Sequence, residues 1–407
     1  MYSNDKYSCR IASLLVYISM SFPQNRKYYS LFIQDDLNRC DPARIILVIC
    51  LMSCLLFLYS CDTNSVTVKN DGNSGFNTGS EWLVPEHEVI NGGPGKDGIP
   101  SIERPEFKAV DEIDFIPAER RVLGIIKGGE ILAYPHQILD WHEIVNDNSR
   151  VTITYCPLTA TGIAWDPRQG PDFGTSGLIF RNNLVAYDRK SESLWSQMRL
   201  RSINGEHLGA NIEPLNVIDT TWKTWTLMYP ESKVLTTNTG HSRDYNSYAY
   251  GKSYSENDGI ILFPTKNRGD NRLNAKTRVH GIFTDEELDE NSIVRVYEIS
   301  KFHSDIELIH DRLNNEDFIV IGSSKLDFAI AYKAVMRDGV QLSFEAVQNR
   351  LPVVMEDREG TMWNVFGEAV EGPRQGQRLL PAKSYSGYWF GFRDMFNLPE
   401  IYQFDAQ

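Results

Sequence analysis

The chain has 407 residues, of which 42% are apolar, 11% aromatic and 23% charged, a composition typical of folded proteins and not of disordered or fibrous ones. Its 41 basic and 54 acidic residues give a net charge of -13, which repels polyanions and argues against nucleic-acid binding. Of the six cysteines, only Cys156 lies beyond residue 61, so the body of the chain cannot form an internal disulfide.

An apolar segment near the start of the chain predicts export. Residues 45–59 read IILVICLMSCLLFLY and lie between Arg44 and Cys61. This run is short for a bilayer span, but its length suits the core of a signal peptide. The pattern resembles a bacterial lipoprotein signal, which implies that Cys61 is lipidated; an uncleaved membrane anchor is the alternative. Both interpretations predict an envelope protein, tethered to the membrane and facing the periplasm or the cell surface.

Two segments precede the folded body. The leader spans residues 1–61, and its first 43 residues are untypical of a signal peptide, which suggests a start site assigned too early. Residues 62–80 are polar and rich in Asn, Ser and Gly, and they predict a flexible tether between the lipid and the body.

From residue 81 onward the pattern favours strands. Short runs of β-branched and aromatic residues are separated by Gly, Pro and Asn, which predicts a β-rich α+β fold. Segments with helical periodicity are few and short, and they cover residues 135–146, 221–228, 284–291 and 390–397.

The body contains an internal repeat. Four segments recur in the same order: RVLGI at Arg121 and RVHGI at Arg278, VTITYCPL at Val151 and FIVIGSSK at Phe318, the segments ending at Trp195 and Trp363, and those around Trp222 and Trp389. This order predicts two diverged tandem halves, 81–240 and 278–407, joined by a connector at 241–277. The halves form either two domains or one pseudo-twofold unit. The four tryptophans are expected in the core, and the candidate site is expected in the first half, with the second half degenerate.

Several strings together resemble one known family. They are NGGPGKDGIP at Asn91, AYPHQILDWHEIVND at Ala133, YCPL at Tyr155, SG at Ser176, YDRKSESLWSQ at Tyr187 and TTWKTW at Thr220. The combination is similar to an uncharacterised bacterial family, domain of unknown function 3179, over about residues 82–402. The resemblance implies no activity. In many relatives a second cysteine follows YCPL, where this chain has Thr159, which weakens any role that requires two thiols.

The candidate site centres on Cys156, which ends a β-like run before Pro157. In one interpretation, Cys156 is a nucleophile activated by His142. In another, Cys156, His142, His136 and His241 bind a soft metal such as copper or zinc. The third is that the thiol and the imidazoles only pack in the core.

The segments around this site have their own predictions. If residues 135–146 are helical, His136 and His142 point about 120° apart, whereas Glu143 and Asp147 share a face. The tyrosine-rich connector is either a lid that carries His241 to Cys156 or a polar crossover.

The leading hypothesis is therefore an exported lipoprotein with a ligand or soft-metal site around Cys156 and His142. The alternatives are a cysteine-dependent envelope enzyme and a binding or scaffold module without chemistry. The body contains no GxSxG, HExxH, CxxC or GxGxxG motif, so the commonest hydrolase, metalloprotease, thioredoxin and dinucleotide signatures are absent from its sequence.

Overall fold

The structure, a computed structural model, describes residues 81–147, 150–166 and 172–405. The predicted leader, the lipidation site Cys61 and the tether at 62–80 lie outside these residues. Within them, no helix has both the length and the apolar character needed to cross a membrane.

The first half carries the following strands: β1 (Val89–Asn91), β2 (Phe107–Ala109), β3 (Arg121–Lys127), β4 (Glu130–Pro135), β5 (Ile144–Asp147), β6 (Val151–Cys156), β7 (Thr161–Trp165), β8 (Phe173–Phe180), β9 (Asn183–Asp188), β10 (Leu194–Ser196), β11 (Arg201–Asn204), β12 (Pro214–Leu215), β13 (Ile218–Thr221) and β14 (Lys233–Leu235). The second half carries β15 (Arg278–Phe283), β16 (Val294–Glu298), β17 (Glu307–Leu313), β18 (Glu316–Ser323), β19 (Phe328–Lys333), β20 (Phe344–Ala346), β21 (Val353–Asp357), β22 (Met362–Asn364), β23 (Ala369–Glu371), β24 (Lys383–Tyr388) and β25 (Glu400–Ile401).

Helices are short throughout the described residues. The α-helices are α1 (His136–His142), α2 (Trp222–Met228), α3 (Lys252–Glu256) and α4 (Trp389–Met395). Single 3-10 turns occur at Glu86–Glu88, Val110–Glu112 and Ile299–Lys301. The predicted β-rich α+β fold is confirmed, since residues in the strands of several small sheets far outnumber residues in helices.

The sheets of the two halves follow the same plan. The first half forms the sheets β13-β3-β4-β14-β2, β12-β7-β6-β5 and β1-β8-β9-β10-β11, and the second half forms β24-β15-β16-β25, β17-β18-β19 and β20-β21-β22-β23. The parallel pairs β4–β14 and β16–β25 occupy equivalent places in an otherwise antiparallel arrangement. Three pairs of matched sequence segments therefore lie on corresponding strands, and the pair around Trp222 and Trp389 lies on the corresponding helices α2 and α4. A pseudo-twofold relation between the halves stays a prediction.

Equivalent side chains also make equivalent bonds. Trp195 donates its indole N–H to Asp188 at 3.1 Å, and Trp363 donates to Asp357 at 3.0 Å. Both indoles are buried, as are Trp222 and Trp389, so the prediction of core tryptophans is confirmed.

Two of the predicted helices differ from the structure. Helix α1 ends at His142 and strand β5 begins at Ile144, so Glu143 and Asp147 do not share a helix face. Residues 284–291 contain no helix, because the acidic side chains there bond to nearby backbone: Asp285 accepts from the Ile293 N–H and Asp289 from the Asn291 N–H.

The core is continuous between the halves. All described residues belong to one compact unit. One hydrophobic cluster combines Trp195 and Met198 with Trp389 and Phe392, and another combines Trp225 with Trp363. Mixed clusters of this kind show that the two halves bury their apolar surfaces together.

Candidate functional site

Glu143 lies where helix α1 ends and strand β5 begins. Its backbone N–H donates to Leu139 O at 2.8 Å, and its carbonyl accepts from the Tyr155 N–H at 2.7 Å, so the residue is fixed between α1 and β6. Its φ of 56° and ψ of -31° place the backbone in a region that glycine adopts readily. For other residues this backbone conformation costs about 1–3 kcal/mol of strain. The residue is only 6% exposed. A buried carboxyl at a position that suits glycine indicates a role other than stability.

Cys156 ends strand β6 and is the free, buried thiol of the described residues. Its S–H donates to the Asn182 carbonyl across 3.8 Å. Burial raises the pKa of Cys156 to about 11, the negative charge of Glu143 adds to this, and hydrogen bonds from Thr159 only partly oppose it. The thiol is therefore protonated at neutral pH, and a protonated thiol is a poor nucleophile.

Cys156 and Glu143 share the wall of a small pocket, which we call the Cys156 pocket. Its cavity volume is about 30 Å³, which is room for about two water molecules, and the pocket is partly open to solvent. Apart from these two residues, its lining comes from the loop before β2, the β6–β7 turn, strands β8 and β9 and the connector: Gly92, Pro94, Ile99, Leu158, Thr175, Gly177, Leu178, Ile179, Leu184 and Tyr250. The lining is mostly apolar, with few polar groups, as is typical of sites for small molecules.

The carboxyl of Glu143 has little polar compensation in this pocket. Its Oε1 accepts a long hydrogen bond of 3.5 Å from the Tyr250 hydroxyl. Burial raises the pKa of Glu143 to about 8, and the Tyr250 hydrogen bond opposes this only weakly. The carboxyl is thus mostly protonated at neutral pH, and perturbed acids of this kind cluster at functional sites.

Tyrosines of the connector hold this side of the pocket together. Tyr248 donates to Pro157 O at 3.2 Å and Tyr254 donates to Leu158 O at 2.7 Å, so both bind the turn that follows Cys156. Tyr250 lies between them: its ring centroid is 6.4 Å from that of Tyr248 and 6.0 Å from that of Tyr254. The connector therefore packs directly on the first half beside the candidate site.

His142 is buried and fully hydrogen-bonded. Its Nδ1–H donates to the Pro100 carbonyl at 2.7 Å, and its Nε2 accepts from the Tyr245 hydroxyl at 2.7 Å. Burial lowers the pKa of His142 to about 4, so the ring is neutral at physiological pH. With both nitrogens occupied by protein groups, this imidazole fixes the junction of α1 and the connector.

The other two predicted histidines lie in separate environments. His241 is exposed, and its ring lies 5.3 Å from that of His142. His136 is buried, stacks near Tyr155 at 4.5 Å and has its Nε2 3.2 Å from Asp219 Oδ1. Burial lowers the pKa of His136 as well.

The structure places His142 and His241 side by side, and among the described residues no hydrogen bond or ring contact joins Cys156 or His136 to that pair. Within the described ranges, Cys156 has no hydrogen bond to an imidazole. The same ranges contain no group of three or more His, Cys, Asp or Glu side chains arranged to hold a metal ion. The environment of Cys156 is instead made by Glu143 and Tyr250.

Sequence reasoning did not select Glu143 and Tyr250 as site residues. Glu143 follows His142 directly, and the expected helix placed its side chain beside Asp147. The signal that could have identified it is an acidic residue at the end of a helical segment, where glycine is favoured. Tyr250 lies 94 residues after Cys156, and no local pattern links the two.

A comparison with family models identifies the chain. The model described as "Protein of unknown function (DUF3179)" matches residues 96–399. The chain belongs to this family. The match contains every residue of the Cys156 pocket except Gly92 and Pro94, together with the connector and nearly all of both halves. It confirms the resemblance drawn from the sequence. No curated protein and no solved structure matches the chain.

Proposed function

We propose that the mature protein is an exported, membrane-tethered lipoprotein that binds a small ligand in the Cys156 pocket. The supporting observation is the Glu143 carboxyl, which is buried in the pocket wall with one weak hydrogen bond. Leaving a carboxyl in such a place costs stability, and a ligand that bonds to it recovers that cost. The apolar lining adds a hydrophobic contribution to binding.

The geometry favours binding over nucleophilic catalysis by Cys156. Burial raises the pKa of the thiol to about 11, and no imidazole is hydrogen-bonded to it within the described residues. An activated nucleophile requires a lowered pKa or an adjacent base. In this proposal, Cys156 supplies a neutral, polarizable surface to the ligand.

Ligand binding is tested by NMR on the purified full chain. A mixture of small alcohols, amides and amines is expected to change the signals of Glu143, Cys156 and Tyr250. Leu178→Trp places a larger side chain at the half-buried pocket wall and is expected to remove these changes. Signals that stay unchanged with every compound, or changes that survive in Leu178→Trp, would refute the proposal.

The lipid anchor is tested separately. The export signal supports it: a short apolar run ends at Cys61. The full chain expressed with labelled palmitate is expected to carry the label and to sediment with membranes, whereas Cys61→Ser loses the label. Cys54→Ser, seven residues earlier, serves as the matched control and keeps it. Equal labelling of Cys61→Ser and the wild type would contradict lipidation at this residue.

A further inference from the structure

Glu143 has no positive partner in the described part of the chain. No Lys, Arg or His nitrogen lies within salt-bridge distance of its carboxyl, and its one hydrogen bond comes from Tyr250 at 3.5 Å. The titratable groups that face it are Cys156 on β6, Tyr250 on the connector and Asp140 on α1. All three are acids. An ionised Glu143 therefore needs a countercharge that the described residues do not supply.

The rest of the pocket limits what can carry that charge. Leu158, Ile179 and Leu184 form an apolar wall, and the only other polar side chains in the lining are Cys156, Thr175 and Tyr250. The Tyr250 hydroxyl donates to Glu143, which leaves its oxygen free to accept. A metal ion is disfavoured, because no group of metal-ligating side chains occurs in the described ranges.

A ligand with a compact cationic group and a short alkyl chain matches both the Glu143 carboxyl, which has no positive partner among the described residues, and the apolar wall of the pocket. We propose that the Cys156 pocket binds a small primary alkylammonium ion, whose ammonium group pairs with the Glu143 carboxylate and whose alkyl chain lies against Leu158, Ile179 and Leu184. The Tyr250 oxygen accepts a second N–H of the ammonium group. This inference rests on the proposed ligand-binding function and names the class of its ligand.

Binding is coupled to a proton. Burial raises the pKa of Glu143 to about 8, so the free carboxyl is mostly protonated at neutral pH. The ammonium ion stabilises the carboxylate, so one proton leaves Glu143 for the solvent as the ligand enters. From that pKa, the affinity is expected to rise about 50-fold between pH 6 and pH 8.

The experiment is isothermal titration calorimetry of the full chain with n-propylammonium chloride, in two buffers of different ionisation enthalpy. It is expected to show release of close to one proton per ligand at neutral pH, together with the rise in affinity with pH. Glu143→Gln, a neutral isostere, is expected to lose the pH dependence and to bind about 10- to 100-fold more weakly at pH 8. Glu256→Gln removes an exposed carboxyl on α3, outside the pocket lining, and is the matched control expected to keep both properties.

A titration with propan-1-ol, the neutral analogue of propylammonium, distinguishes failure of the ammonium class from failure of the proposed ligand binding. Binding of propan-1-ol without binding of propylammonium would overturn the ammonium class and leave the proposed function standing. Propylammonium binding that is unchanged in Glu143→Gln would also overturn the class. A pocket that binds neither probe, nor any compound of the NMR mixture, would overturn the proposed function itself.

Discussion

His142 and Glu143 are neighbours in the sequence with opposite roles in the structure. The imidazole bonds through both nitrogens to Pro100 and Tyr245, whereas the carboxyl has one weak bond in a pocket. The sequence predicted a site near this segment and near Cys156, but it indicated His142 and not Glu143 as the functional side chain. The distinction depends on partners 42 and 103 residues away from His142, and no local pattern encodes them.

At this scale we predict that Cys156 alkylates slowly at neutral pH. Because burial raises the pKa of its thiol to about 11, the rate with iodoacetamide should rise steadily up to about pH 11. Mass spectrometry of the Cys156 peptide separates its reaction from that of the five leader cysteines. Glu143→Gln removes a negative charge beside the thiol and should shift the profile to lower pH. A rate that reaches half its maximum below pH 8 would support the cysteine-dependent enzyme.

Elements were more predictable than side-chain environments. The repeated strands were visible in the sequence because buried strands are read from local apolar runs. Helix ends were less predictable, since α1 stops at His142 only because Glu143 adopts a positive φ and Ile144 enters a sheet. The turns at residues 285–290, where a helix was expected, were equally hard to predict, because they depend on individual side chain–backbone hydrogen bonds.

Both copies of the repeat contain a helix–strand contact that explains why RVLGI and RVHGI share a glycine. A Cβ on Gly124 would lie 1.9 Å from the Trp225 ring of α2, and a Cβ on Gly281 would lie 2.3 Å from the Phe392 ring of α4. Glycine in each strand therefore lets the following helix pack its aromatic ring onto the sheet.

We predict that Gly124→Ala and Gly281→Ala each lower the free energy of unfolding by about 1–3 kcal/mol or more, because the added methyl group overlaps a buried ring. Gly269→Ala is the control: its Cβ meets no atom within 4 Å, and the change should stay within about 0.5 kcal/mol. Urea denaturation measures all three. Equal stability of the three variants would show that these glycines do not set the packing.

Across the whole molecule, an ionic cluster joins the two halves. Asp219 on β13 accepts from Arg121 at 2.9 Å and also pairs with Arg278, the equivalent arginine of the second half. The position that corresponds to Asp219 in the second half is Ser386, so the cluster is asymmetric. Continuous cores and this cluster explain why two halves recognisable in the sequence fold as one unit, which composition and spacing left open.

We predict that Asp219→Asn destabilises the protein by about 3–5 kcal/mol, because two partly buried arginines lose their shared carboxylate. Glu371→Gln breaks an exposed pair with Arg350 and should cost about 1 kcal/mol or less. Both are measured by urea denaturation at neutral pH. Similar losses in the two variants would contradict a joining role for Asp219.

The same carboxylate predicts a pH dependence. Burial would raise the pKa of Asp219, but Arg121 and Arg278 lower it well below its usual value. Its contribution to stability is therefore present above the unfolded-state pKa of about 4 and is lost as the pH falls towards the folded-state value. Asp219→Asn should show a smaller loss of stability than the wild type over that acidic range.

The protonation state of Glu143 tests the proposed site most directly, because the pocket's ligand chemistry depends on it. A carbon-13 NMR titration of the side-chain carboxyl in the full chain, assigned with Glu143→Gln, measures it without any ligand. A midpoint near pH 8 is the result expected from burial without a positive partner. A midpoint at about pH 4.3, the value of an ordinary exposed glutamate, would contradict both the pocket's electrostatics and the ligand class drawn from them.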